Sequence, residues 1–552
     1  MAHVETMTRT EGISSRDRKV ILAASLGTVF EFYDFFLIGL VATEIAKAFF
    51  SGVNPTAGFI FTLLGFAAGF MLRPFGAIVF GRLGDLVGRK YTFLVTIVLM
   101  GGSTFLIGLL PAYGTIGVAA PILFVTMRML QGLALGGEFG GAMVYVAEHA
   151  PADKRATYTA YIIMTAAIGF LLAVAVIIPL RLALGPDAFV LWGWRVPFLI
   201  SIVLLGVSLW IRLKLDESPE FKRMKAEGKA SKSPLAEAFG TWKNVRVIII
   251  AALCILPAQA VIWYTGQFYT LFFLTKVLKV ENLTANLMLI TATVLTAPLY
   301  VIFGRLSDKV GRKPVYVVGY LIAALVTIPA FQGLTHFANP ALEAAQNRAP
   351  ITIVADPQDC SFQFNPLGTA KFTTSCDVGI GAVTGLGLNY RSEDTASGSV
   401  ASVRIGDRTI PSYRADAADA AAQKTRLDTE LKQVLTEAGY PLGNANPADI
   451  NTPGIIALLC ILLALGAMVF APTTTSLLEM FPSRIRYTAM SFPYHLSAAW
   501  FGGFLPATAF AIVAATGNNY AGLYYPVGIA AACMILSLVF ARETRGTDIS
   551  KG

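Results

Sequence analysis

The chain has 552 residues, of which 55% are hydrophobic and only 14% charged, and its mean hydropathy is +0.63. Soluble domains carry about 25% charged residues, so this composition excludes a soluble enzyme or a nucleic-acid binder. The net charge of +9 does not mark a nucleic-acid surface, because the basic residues fall on alternate connections between apolar runs.

In chain order, residues 1–19 read as a cytoplasmic N-terminal segment. Apolar runs of bilayer length, roughly 20 residues, predict spans over 20–42, 57–80, 91–110, 118–146, 157–180 and 195–213, a first bundle covering 20–213. A charged cytoplasmic linker, 214–245, follows. The second bundle opens with spans at 246–275, 284–303 and 314–333, within 246–333. A polar insertion occupies 334–452. Spans at 453–478, 489–515 and 521–541 complete the bundle over 453–541, and 542–552 is a cytoplasmic tail. Even-numbered connections carry Arg82, Arg89, Lys90, Lys154, Arg305 and Arg484, whereas the short odd-numbered ones are nearly free of Lys and Arg. Both termini are therefore expected in the cytoplasm.

The sequence repeats internally. Gly81-Arg-Leu-Gly-Asp85-Leu-Val-Gly-Arg89-Lys recurs 223 residues later as Gly304-Arg-Leu-Ser-Asp308-Lys-Val-Gly-Arg312-Lys. Glu148-x-x-Pro-x-x-x-Arg155 recurs as Glu479-x-x-Pro-x-x-x-Arg486 at an offset of 331. Two six-helix halves in parallel register are implied, and the larger second offset locates the extra chain at 334–452. That insertion lies outside the membrane on the extracytoplasmic side. Its β-branched stretches run to about 413, and Leu427, Leu431, Val434, Leu435 and Ala438 then share one helix face, which predicts a small α+β subdomain. Cys254, Cys460 and Cys533 fall within spans and read as small apolar residues. Cys360 and Cys376 lie in the insertion, where the oxidising side favours a disulfide over two unpaired thiols.

The duplicated Gly-x-x-x-Asp-x-x-Gly-Arg-Lys motif resembles the signature of the major facilitator superfamily, and Arg128-x-x-x-Gly132-x-x-x-Gly136 resembles its second motif. Glu31-Phe-Tyr-Asp34, Arg73-Pro-Phe-Gly, Arg128-Met-Leu-Gln131 through Glu138-Phe-Gly-Gly, Trp263-Tyr-Thr-Gly-Gln267 and Tyr494-His495-Leu are similar to the metabolite:H+ symporter family. The resemblance implies an all-α polytopic membrane protein with twelve transmembrane helices in two six-helix pseudo-repeats. It further implies uptake of small polar metabolites such as carboxylates, shikimate or betaine-type osmolytes across a bacterial cytoplasmic (inner) membrane. The insertion departs from the family's basic pattern, so its role is not carried over.

Ionisable residues within spans are costly and mark function by default. Glu31 and Asp34 lie on the first span, Arg73 on the second, and Arg128 and Glu138 on the fourth. Asp34 and Arg128 sit roughly 12 and 15 Å from the outer ends of their helices, so they are level enough to pair. Arg73 and Glu138 offer a second pair. Both could simply lock helices together. However, the repeat counterparts of Asp34, Arg73 and Arg128 are Pro257, Thr296 and Leu459, which suggests that the first half handles the proton. Glu31, Asp34 and Arg128 are thus the expected proton-coupling set. In the related sugar porters, an Asp on the first span pairs with the fourth-span Arg, and Asp34 and Arg128 are the matching positions here.

On span 7, Gln259, Trp263, Gln267 and Thr270 recur at helical spacing and predict a cavity wall, with helix packing as the alternative. With Arg73, Arg128, Gln131, Glu138, Tyr494 and His495 they make the expected substrate-binding set; Tyr264 and Tyr269 are weaker candidates, and His495 could equally make a structural hydrogen bond. Gly81, Asp85, Arg89, Gly304, Asp308 and Arg312 are expected to gate. The aspartates would accept from N–H groups at a helix start while the arginines reach carboxylates across the half-interface; topology marking alone is the alternative. No Walker motif, zinc-spaced Cys/His set or nucleophile elbow is present. The expected protein is not an enzyme. It is a monomeric proton-coupled importer of a small molecule in the lipid bilayer, needing no cofactor, metal or nucleic-acid partner. Uniport, antiport or a membrane sensor are the alternatives. Two intramembrane arginines favour a carboxylate substrate, and an aromatic wall with Glu31 would suit a quaternary ammonium.

Overall fold

A computed structural model describes residues 15–51, 55–214, 217, 219–228, 231–363 and 372–547. The predicted spans are helices α1 (Ser15–Leu40), α2 (Pro55–Leu86), α3 (Arg89–Leu109), α4 (Ala119–His149), α5 (Arg155–Ala188) and α6 (Arg195–Leu213). The second half contributes α7 (Trp242–Val277), α8 (Asn282–Val310), α9 (Arg312–Ala338), α10 (Thr452–Glu479), α11 (Arg486–Thr516) and α12 (Ala521–Phe540). Helices satisfy their own backbone groups, which is the condition for crossing lipid.

The helices overrun the apolar runs at one end, because the first part of the duplicated motif is itself helical. The duplicated motif is not a loop. Its Gly-Arg-Leu stretch forms the last turns of α2 and α8, and the chain breaks only at Gly88 and Gly311, where φ is +133° and +108°. Glycine alone takes such values without strain, and α3 and α9 restart at the next residue. Within the first half α2 lies tight on α4: a Cβ at Gly136 would sit 2.7 Å from Ala77 N, as small-residue helix packing requires.

Helix α7 departs from the regular period assumed for its polar-aromatic stripe. Wide π-helical turns occupy Ala251–Ile255, Thr265–Tyr269 and Phe273–Val277, and α11 has one at Ala498–Gly503. Pro257 follows the first of these turns and has no N–H to donate. The stripe is therefore broken. Thr270 spends its hydroxyl on Thr265 O at 2.8 Å, and Gln267 is only half-buried. Such turns often occur at functional sites.

The insertion between α9 and α10 folds as the predicted α+β unit. Strands β1 (Ile351–Ala355), β2 (Arg391–Asp394), β3 (Ser402–Ile405) and β4 (Arg408–Pro411) form one sheet in the order β2-β1-β3-β4. β1 runs parallel to β2 and antiparallel to β3, with Thr352 opposite Arg391 and Ile353 opposite Val403. The helix Ala420–Glu437 buries Leu427, Leu431 and Leu435, and a disulfide joins Cys360 to Cys376. Changing both cysteines to Ser is expected to cost the insertion about 2–4 kcal/mol, seen as faster protease cleavage there with the spans still assembled.

Candidate functional site

At the Lys/Arg-rich end the two halves close on each other through the duplicated motif. Asp308 accepts from Ala156 N (3.0 Å), Thr157 N (2.8 Å) and Thr157 Oγ1 (2.6 Å) at the start of α5. Asp85 accepts from Thr488 N (2.9 Å) and Thr488 Oγ1 (2.7 Å) at the start of α11. Each carboxylate thus caps a helix of the opposite half, where unpaired N–H groups and the helix dipole favour negative charge. Gly81 and Gly304 permit the approach: a Cβ would lie 2.9 Å from Thr488 Cα and 2.7 Å from Ala156 O, respectively.

The arginine expected to cross the interface does not. Arg312 forks onto Glu479 at 3.2 and 3.0 Å and contacts Asp308 at 2.8 Å, all within its own half. Starting α9 directly behind the Gly311 break, it faces the end of α10 rather than the other bundle. The crossing cations come from the second repeat. Arg155 reaches Glu479 at 3.2 Å, and Arg486 reaches Glu148 at 3.2 Å. The repeated Glu…Arg pairs therefore exchange partners between halves, with side chains at most 6% exposed. The side chain of Arg89 lies outside the described residues. Glu543, just after α12, accepts from Arg312 N and Lys313 N at 2.9 and 3.0 Å, and Glu217 accepts from Lys90 N at 3.2 Å.

Deeper in the first half, both expected ion pairs are replaced. Asp34 accepts from Ser201 Oγ at 2.6 Å and has the Thr104 hydroxyl within reach. Arg128 donates to Gln131 Oε1, and Gln131 Nε2 donates to Thr104 Oγ1 at 2.7 Å. Among the described residues no ion pair joins Asp34 to Arg128. They are level, as their depths suggest, but a hydroxyl of α3 and an amide of α4 stand between them. Gln131, fully buried, thus links Arg128 to Thr104.

Glu138 does not meet Arg73 either. It accepts from Arg212 on α6 and from Thr96 Oγ1 at 2.6 Å. Arg212 is only 2% exposed, although its place beside the linker marks it in sequence as a cytoplasmic charge. Arg73 instead stacks 3.9 Å from the Phe70 ring centroid and 5.0 Å from that of Phe35, with Tyr264 within hydrogen-bonding reach.

The structure does bring Glu31, Arg73, Tyr264, Tyr494 and His495 together where the halves meet. Arg73 neighbours Glu31, Tyr494 and His495, and Tyr494 neighbours Glu31 and Tyr264. Among the described residues, both Glu31 oxygens, both His495 ring nitrogens and Arg73 Nε are buried without a hydrogen bond. Aromatic pairs between halves wall the cluster. Phe35 and Phe36 meet Phe268 at 6.1 and 5.8 Å, Phe70 meets Tyr264 at 5.7 Å, and Phe139 stacks on Tyr494 at 4.6 Å. Phe268 comes from the Thr265–Tyr269 wide turn, which aims it across the interface. Trp263 donates to Tyr300 Oη at 3.0 Å, and Gln259 is buried one turn before it.

Comparison with known proteins agrees with this architecture. Residues 24–335 match the family model described as Major Facilitator Superfamily, and 434–551 match one described as Sugar (and other) transporter. The sheet of the insertion falls between the two matches. The chain is 38% identical over 335 residues to the inner membrane metabolite transport protein YhjE of Escherichia coli strain K12, covering 60% of this chain and 75% of that protein. It is 36% identical over 327 residues to the shikimate transporter of the same strain, covering 58% and 73%. Against the proline/betaine transporter of Salmonella typhimurium it is 34% identical over 326 residues, covering 57% and 64%. Among solved structures, the proton:xylose symporter XylE bound to 6-bromo-6-deoxy-D-glucose superposes with a TM-score of 0.62 over 98% of this chain and 99% of that one, at 17% identity. That likeness concerns the fold. With two pseudo-repeated six-helix halves and family matches covering both, the chain belongs to the Major Facilitator Superfamily and is a multi-pass membrane transporter of small molecules, not an enzyme.

Proposed function

We propose that this transporter is a monomer that takes up a small carboxylate together with a proton, by alternating access, across the cytoplasmic membrane of a bacterium. One observation carries the choice of substrate. Arg73 is a buried guanidinium at the half-interface with no carboxylate partner within ion-pair distance among the described residues. An unpaired buried charge costs several kcal/mol, and a ligand carboxylate on its free N–H edge would remove that cost. Its aromatic neighbours hold the guanidinium in place. They also disfavour a simple quaternary ammonium there, because Arg73 already occupies the Phe35 and Phe70 ring faces.

Glu31 supplies the coupling. An anion on Arg73 beside an ionised Glu31 would meet electrostatic repulsion, strong in a low-dielectric interior, so anion and proton load together. Asp34, with Thr104, Gln131 and Arg128, forms a second layer behind it. The Lys/Arg-rich end, closed by the Asp85 and Asp308 caps, is the cytoplasmic face, and the insertion is extracytoplasmic. The proton gradient is the energy source, with no cofactor. The named relatives, transporters of shikimate and of proline and betaine, move carboxylate-bearing compounds.

The test is uptake of labelled organic acids and betaines into proteoliposomes with and without a pH gradient. Arg73→Gln should lower acid uptake about 100-fold, the loss of a charge-assisted bond of roughly 3 kcal/mol. Glu31→Gln and Asp34→Asn should lose gradient-driven accumulation while exchange continues. Parental acid uptake by Arg73→Gln would remove the carboxylate site.

A further inference from the structure

Two orphaned groups lie close together below the central cluster, and they are chemical complements. Arg212 Nη2 donates to Glu138, but Arg212 Nε is buried with no acceptor among the described residues. The Nη2–Nε edge of the guanidinium faces α1: a Cβ built on Gly27 would lie 2.7 Å from Nε and closer still to Nη2. Glu31 is one helical turn further along α1, on the same face, and neither of its oxygens has a donor. The groups facing Glu31 are Arg212 on α6, Glu138 on α4, Arg73 on α2, Asp34 on its own helix and Tyr494 on α11. A buried donor and a buried acceptor left unmade at such close quarters are each costly, so this state is balanced against another in which they join.

We propose that Arg212 is a shared cation that leaves Glu138 for Glu31 when Glu31 releases its proton. This rests on the reading of Glu31 as the proton carrier. The Arg212–Glu138 pair of this structure is then the state with Glu31 protonated. When the Lys/Arg-rich end opens, the Glu31 proton passes to water there, and the new carboxylate accepts from Arg212 Nε. Arg212 stays protonated throughout, and Glu138 keeps the Thr96 hydroxyl. The position suits release on that side. Arg212 lies in the last turn of α6, next to Leu213, whose carbonyl accepts from Lys90 Nζ of the duplicated motif at 2.9 Å. A side chain at Gly27 would push the guanidinium off α1. Arg212 is a positioning residue: it sets the proton affinity of Glu31.

The test needs no substrate, so failure of the carboxylate reading leaves it standing. The full-length protein in nanodiscs is titrated by infrared spectroscopy, following the part of the protonated-carboxyl band that Glu31→Gln lacks. Glu138→Gln frees Arg212 for Glu31 and should lower the midpoint of that band by about one pH unit or more. Arg212→Gln should raise it by about as much, and Arg212→Lys should restore it most of the way. Should Arg212→Gln fail to fold, Gly27→Ala keeps the charge but moves it from α1, and should also raise the midpoint. A Glu138→Gln shift that largely disappears in the Arg212→Gln or Gly27→Ala background supports the switch, because a cation fixed on Glu138 would leave the same Coulombic shift in both backgrounds. An equal shift in both backgrounds, or none, makes Arg212 a strut and overturns it. A Glu31 band that never titrates overturns the carrier and the switch together.

Discussion

Asp308→Asn and Asp85→Asn should each unlatch the Lys/Arg-rich end and slow transport about tenfold or more, with little loss of substrate binding in detergent. Asp308 accepts two N–H groups and a hydroxyl from the first turn of α5. Asparagine keeps one acceptor oxygen, but its Nδ2 then faces donors, and the charge favoured by the helix dipole is lost. Hydrogen bonds to a charged group contribute about 1.5–3 kcal/mol each, so losing even one moves the closed-to-open ratio roughly 10- to 100-fold. Alternating access requires both states, and trapping one stalls the cycle. Ser491 is fully buried behind this gate. With Cys254, Cys460 and Cys533 changed to Ala, a Ser491→Cys reporter should label faster with a permeant maleimide in either Asp variant than in its parent. Parental transport and labelling in both would leave the duplicated motif as a topology marker only.

How far the sequence is legible depends on the range of the interaction that decides each feature. The spans and the parallel repeat are readable because lipid imposes a long, uniform apolar run and because duplication copies whole motifs. The capping role of Asp85 and Asp308 is also readable, since a carboxylate beside Gly breaks fits a helix start. The partners are not. Glu148–Arg486 and Glu479–Arg155 join residues 338 and 324 apart, and only the quasi-twofold relation of the halves, applied to the second repeat, could have indicated the exchange. Arg212 escapes for a different reason. One residue from the end of a span, it counts as a cytoplasmic charge, yet its long side chain turns inward to Glu138. Glu138 is thereby engaged elsewhere, and Arg73 lies over the Phe35 and Phe70 rings as the cation on which the substrate reading rests. Equal depth made Asp34–Arg128 plausible, but depth says nothing of what α3 interposes, here Thr104. The stripe on α7 fails because π-helical turns change the period, and Pro257 is a weak signal of them.

Excising residues 340–450 and joining the ends by a short Gly/Ser linker should leave membrane insertion and gradient-driven transport intact, at the cost of a lower melting temperature. The ends are already together, because Asn451 N donates to Phe337 O at 2.8 Å, so a linker closes the gap without moving α9 or α10. The described hydrogen bonds from the insertion reach only the second half. Tyr390 N and Tyr390 Oη donate to Gly517 O and Ala514 O, both at 2.8 Å. Asn519 donates to Asn389 Oδ1 at 2.7 Å and to Gly387 O at 2.9 Å, and Ala445 N donates to Lys279 O at 2.9 Å. The insertion therefore rides on the far ends of α7, α11 and α12 as part of one bundle, and rocking of the halves does not have to break it. Each of these bonds is worth about 0.5–1.5 kcal/mol net, and the partners they free lie at helix ends where water can replace the donor, so the loss is spread and modest. No member of the Glu31–Arg73–His495 cluster belongs to the insertion. A deletion variant that inserts and stays monodisperse, yet takes up none of the acids that the parent takes up, would make the insertion part of the binding site.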